Sequence, residues 1–184
     1  MTTMPALPRW DMSVIFPSLE SPEFAQAFAS LVQNIQNLTA FFDEHHIQEQ
    51  TALTIDDPLI ETFETVIAHY NAVLDSTRTV SAYISCFITT NSHDNLAQAR
   101  MSELQQSLVQ LSQLGTRLTA WFGGFDVEKL VAHSQVAQEH AYILHRSKIQ
   151  AEHLLSPVEE VLASELNISG GTAWSRLPGL FAPL

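Results

Sequence analysis

Apolar residues recur at three- and four-residue steps through most of this chain, and that spacing predicts helices. Phe24, Phe28, Leu31, Ile35, Leu38 and Phe42 fall on one face of a helix that starts at Ser21-Pro22-Glu23 and runs to about 48. The start has a physical logic: Ser caps free amides, Pro is tolerated at the first helical position, and Glu opposes the positive end of the dipole. Asp57-Pro58 gives a second start, and Ile60, Phe63, Ile67 and Leu74 carry its stripe toward Ile84 and Phe87. The run TVSAYISCFITT has the β-branched composition of a strand, but the stripe enters it in phase and no turn residue intervenes, so helix is expected. After the polar turn NSHDN a third helix begins at about 94, carries Leu104, Leu108, Leu111, Leu118 and Trp121, and is ended by Gly123-Gly124. Asp126 then caps a fourth helix, opening VEKL and running to about 154. Ser156-Pro157-Val158-Glu159 reads as a capping box for a shorter fifth helix that Gly170-Gly171 ends.

The two ends differ from the body. Pro5, Pro8 and Pro17 break helix before residue 20, while Trp10, Met12, Val14 and Phe16 alternate with polar residues or with one another, which suggests a strand-like arm docking its aromatics on the helices. The tail TAWSRLPGLFAPL is apolar and interrupted by prolines. The expected fold is all-α, an elongated bundle or stack of about five antiparallel helices with an extended N-terminal arm: a lead-in over 1–20, a helical domain over 21–169 and an apolar tail over 170–184. A helix of about 30 residues is about 45 Å long, hence the elongation. No fixed-period repeat defines a solenoid.

Composition narrows the function. With 184 residues the chain suits one domain that needs no disulfide or metal staple. Its net charge is −12, and its eight cations are scattered at Arg9, Arg78, Arg100, Arg117, Lys129, Arg146, Lys148 and Arg176. Nucleic acid and anionic membrane surfaces both require clustered cations, so neither is an expected partner. Cys86 is the single cysteine and reads as structural, because no cation or helix start lies beside it in sequence. No secretion signal and no membrane-spanning run is visible, which makes the cytoplasm the expected location.

Candidate chemistry is sparse. Among eight histidines, His140 and His145 do not share a helical face, and His133 and His140 share one at about 10 Å separation. Asp43 and His46 are close enough in sequence to meet as carboxylate and imidazole, but the Glu-x-x-His pairs of a di-iron bundle are absent. Neither His-Glu-x-x-His, Gly-x-Ser-x-Gly, a phosphate-binding glycine loop nor Cys-x-x-Cys occurs. Glu61-Glu64 and Glu159-Glu160 read as solvated helix faces, and both glycine pairs as helix terminators. No catalytic, cofactor-binding or metal-binding residue is assigned.

Four segments in order nonetheless form a pattern: PRWDMSVIFPSLESPEF, YISCFITTNSHDNLAQARMSEL, RLTAWFGGFD and AEHLLSPVEEVLASELNISGGTAWSRL. Together they resemble the N-terminal helical region of the oligoendopeptidase F-like branch of the M3 metallopeptidases, over about residues 8 to 177. The resemblance implies a helical unit forming one wall or lid of a substrate channel in a zinc enzyme that cleaves short peptides. It also implies that zinc, held by His-Glu-x-x-His and a later Glu, belongs to a separate catalytic domain. No zinc is expected in this chain, and its implied partners are that catalytic domain and short peptides. An end at Leu184 implies an excised domain or truncated product, inactive alone. The alternative is a stand-alone helical module that binds proteins or peptides.

Overall fold

The computed structural model describes residues 11–175, and within them every regular element is an α-helix. The long ones are α1 (Pro22–Glu44), α2 (Asp57–Thr90) and α3 (Asn95–Gly123); four shorter ones follow, α4 (Val127–His133), α5 (Gln135–Glu139), α6 (Ala141–Ala151) and α7 (Pro157–Ser169). Helices α1, α2 and α3 pack pairwise into an up-down-up bundle, and α3 carries α6 and α7 on its other side. The antiparallel order follows from who meets whom. Phe24 at the start of α1 lies by Tyr83 near the end of α2, and Phe63 near the start of α2 lies by Trp121 at the end of α3.

The predicted stripes are the buried ones. Phe24, Leu31, Ile35, Leu38 and Phe42 of α1 are buried, as are Phe63, Val66, Val73, Val80, Tyr83 and Ile84 of α2. The β-branched run is helical to Thr90, because Val80, Tyr83 and Ile84 extend the buried face of α2 through it. Burying each such large side chain contributes about 1.5–3 kcal/mol. Two aromatic clusters hold opposite ends of the bundle. Phe63, Trp121, Phe122 and Phe125 form one, with Trp121 and Phe125 edge-on at 4.6 Å. Phe16, Phe24, Tyr83 and Phe87 form the other.

Over residues 11–20 the lead-in is a set of turns where an extended arm was expected. Its described part, 11–20, begins with Asp11 accepting a hydrogen bond from the Ser13 amide at 2.9 Å, a side-chain turn that competes with strand. The same bonds from Ser13 lower the Asp11 pKa. Docking does occur, with Phe16 set edge-on to Phe24 and Tyr83, and the Tyr83 hydroxyl donating to the Phe16 carbonyl at 2.8 Å. Trp10 and the tail beyond 175 lie outside the described residues.

Helix α1 stops at Glu44, four residues before its expected end, through a left-handed closing turn. His46 has φ 53°, its amide donates to Asp43 O, and the Ile47 amide donates to Phe42 O at 2.8 Å. Ile47 is thereby driven into the core. A side chain in this region is strained, and histidine bears it better than most residues. His46→Gly is therefore expected to stabilise the protein by about 0.5–1 kcal/mol, read as an upward shift of the urea midpoint at unchanged slope. Arg117 of α3 clasps the same turn: it donates to Asp43 at 2.7 Å and to the Ile47 carbonyl at 3.1 Å, and its guanidinium lies over the Phe42 ring.

The single fourth helix expected over 126–154 is three. Asp126 caps α4 as anticipated, accepting from the Lys129 amide, but Ser134 is a second cap within the run. Its backbone is extended, its hydroxyl accepts from the Ala137 amide at 3.1 Å and donates to Glu64 of α2 at 2.6 Å. Glu64, read as a solvated residue, is a half-buried anchor for this break. The second interruption is at His140, where Nδ1 lies 2.8 Å from the Val136 carbonyl. Ser134→Ala removes both the cap and the partner of Glu64, with an expected loss of about 1–2 kcal/mol measured by thermal unfolding.

Both glycine pairs have negative φ, so their termination of helices does not rest on left-handed backbone. Space explains Gly124: a Cβ there would lie 2.3 Å from the Gln50 carbonyl oxygen. Residues 45–56 cross the end of α3 at that point, and the Leu53 amide donates to the Gly124 carbonyl at 3.0 Å.

Candidate functional site

Helix α7 begins as the sequence predicts. The amide and hydroxyl of Ser156 both donate to the Glu159 carboxylate, at 3.0 and 2.6 Å, and these bonds lower the Glu159 pKa. Bonds from Lys129 lower Asp126 in the same sense at the start of α4. A depressed carboxylate stabilises the fold above its unfolded pKa and loses that contribution as pH falls through the folded one, so both caps weaken on acidification.

The orientation of α7 is the unusual feature. Counting 100° per residue, Val158, Val161, Leu162, Leu166 and Ile168 fall within an arc of about 160°. That arc faces solvent: Val158 is 79% exposed, Leu162 54% and Leu166 59%. Glu160 and Ser164, on the opposite side, are the half-buried positions. The amphipathic helix thus lies on α3 by its polar side and presents its apolar side outward. Leu155, ahead of it, and Trp174, beyond it and 71% exposed, enlarge the apolar surface. Burying such an arc is worth several kcal/mol at about 25 cal/mol per Å², and no described part of the chain does so.

Beside α7 runs a groove of about 870 Å³, bounded by residues 48–52, the C-terminal half of α3 and the α6–α7 connection. Its lining includes Thr51, Gln113, Thr116, Glu152 and Ser164, which carry hydrogen-bonding side chains, together with Ala120 and Gly123. Gly123 lets α6 approach α3 closely, since a Cβ there would meet the Ala151 side chain at 2.8 Å. Lys148 lines the groove but is committed, donating to the Phe125 carbonyl at 2.9 Å. Arg117 is held by the clasp on α1.

The histidines do not converge. His45 stacks on Phe41 at 4.2 Å, with His69 edge-on to the same ring. His133 and His140 each point Nδ1 at a carbonyl one turn back in their own segment, and His145 lies 3.6 Å from Glu128. Asp43 turns to Arg117 rather than to His46. Cys86 is half-buried in α2. Among the described residues no group of three or more His, Cys, Asp or Glu side chains is placed to hold a metal. No helix among them is long and apolar enough to cross a membrane.

Comparison with known proteins finds no match to the chain among family models, curated proteins or solved structures.

Proposed function

We propose that this chain is the non-catalytic helical wall or lid of an M3-like zinc oligoendopeptidase, bordering a channel for short peptides. The observation that supports it is the outward apolar face of α7, which suits a unit whose cover is another protein body. The ordered resemblance of four sequence segments to the N-terminal region of that peptidase branch supplies the kind of body.

Zinc hydrolysis requires two imidazoles one helical turn apart, a third ligand and a carboxylate base. His133 and His140 are turned to backbone carbonyls and His45 to an aromatic ring, and the sequence has no His-Glu-x-x-His to supply that set. The role of this chain is then positional. The Thr, Gln and Ser side chains of the groove satisfy an extended peptide backbone, and the α7 face excludes water from the junction with the catalytic body.

The test pairs the purified chain with an oligoendopeptidase F-type catalytic domain stripped of its own N-terminal helices. Co-elution is expected, with turnover of a quenched-fluorescent peptide that neither component shows alone. Two folded proteins that elute separately and stay inactive when mixed would defeat this reading. A stand-alone interaction module would then remain, since the same α7 face serves any helical partner.

A further inference from the structure

We infer that the face of α7 docks an amphipathic helix of a partner protein that carries a lysine or arginine within its apolar stripe. The inference rests on reading α7 as a docking face, and it specifies the chemistry of the occupant.

Glu165 carries the argument. At 100° per residue it projects near the middle of the apolar arc, between Val161 and Val158, with Leu162 one turn before it. A partner with a purely apolar surface would strip water from this carboxylate and leave it unpaired, which opposes docking. A partner that brings a cation to that point turns the same carboxylate into an anchor, and its geometry fixes register. The segment around it agrees in sign, while Lys148 and Arg117, which line the groove with Val161, are committed to the Phe125 carbonyl and to Asp43. Residues 152–175 contain Glu152, Glu159, Glu160 and Glu165 and no Lys or Arg. Glu159 is occupied by Ser156 and Glu160 accepts from the Leu155 amide, whereas Glu165 forms no ion pair among the described residues.

The same feature disfavours a second copy of this chain as occupant. A two-fold interface centred on the arc brings one Glu165 toward its equivalent, with the other α7 carboxylates around them. Helix α7 has 13 residues and so is about 20 Å long, which matches three to four turns of a partner helix. That is the helix-in-groove mode of recognition, with anchors at i, i+4 and i+8 answering Val158, Leu162 and Leu166.

Two fluorescently labelled 18-residue helical peptides test this, identical in their leucine stripe and differing only at one central stripe position, lysine in one and glutamate in the other. Anisotropy titration against the full chain is expected to show at least tenfold tighter binding of the lysine peptide. Glu165→Lys should reverse the order. Leu162→Asp should abolish binding of the lysine peptide although it adds negative charge, which separates apolar docking from general attraction; circular dichroism confirms that both variants keep their helices. Equal binding of the two peptides, or a preference that Glu165→Lys leaves intact, overturns the charge assignment while leaving α7 as a docking face. Failure of both peptides to bind, or binding insensitive to Leu162→Asp, overturns docking on α7 itself. A dimer of the unliganded chain that Leu162→Asp dissociates identifies a second copy as the occupant and equally overturns the proposal. None of these outcomes depends on the peptidase assignment, which the co-elution experiment addresses alone.

Discussion

Phe63→Ala is expected to lower stability by about 3–5 kcal/mol, the largest effect of any single truncation considered for this fold. Phe63 is fully buried, and its ring contacts those of Trp121, Phe122 and Phe125 at 6.4, 6.1 and 5.9 Å. The cavity left behind is walled by three packed rings, two at the end of α3 and Phe125 just beyond it, and such a wall collapses little, so the full cavity cost is felt. For a domain of this size each kcal/mol lowers the melting temperature by about 2–4 °C. Urea unfolding followed by far-ultraviolet circular dichroism checks the value. A loss below about 1 kcal/mol would show that α2 and α3 do not meet in the way described.

Gly124→Ala gives the second large effect and separates two explanations of the same residue. If Gly124 served only to end α3, alanine would fit its φ of −78° and stabilise the protein by about 0.4–1 kcal/mol through the unfolded chain. The close approach of the Gln50 carbonyl predicts the reverse. A Cβ at 2.3 Å from a backbone oxygen forces residues 45–56 off the end of α3, with a loss of about 1–3 kcal/mol. The bond from the Leu53 amide to Gly124 goes with it. Hydrogen exchange at Leu53, compared with the thermal midpoint, locates the damage; a stabilised protein with Leu53 still protected would restore helix termination as the sole reason for this glycine.

Legibility varied along the chain for physical reasons. In α1, α2 and α3 the stripe is long and the starts fall where they were read, Ser21 capping α1, Asp94 capping α3 after the polar turn, and Asp56 capping α2 one residue ahead of the expected Asp57, so local signals and tertiary burial agree. The breaks at Ser134 and His140 were hidden because neither glycine nor proline marks them. Ser134 is a local cap whose hydroxyl also reaches Glu64, 70 residues away, and a linear reading has no access to that second contact. The closing turn at His46 was similarly masked, because no glycine or asparagine, the usual marks of a left-handed helix end, stands there. For α7 the sequence disclosed the amphipathic face and the capping box but not which way the face points. Periodicity reports that a helix has two sides; only the position of α3 decides that the polar side is the inner one. The groove, assembled from α3, residues 48–52 and the α6–α7 connection, has no sequence signal at all.

The clasp made by Arg117 has a consequence in time. It joins α3 to the turn after α1 across 70 to 74 residues of chain, and those contacts can form only once α2 has closed the intervening loop. Interactions of that span are absent from an early nucleus built from local helical contacts and from the turn between α2 and α3. Their contribution is therefore expected on the unfolding limb, with the clasp slowing escape from the native state more than it changes the speed of reaching it. Arg117→Ala is accordingly expected to shorten the half-life of the folded protein more than it slows its formation, which stopped-flow unfolding and refolding would check.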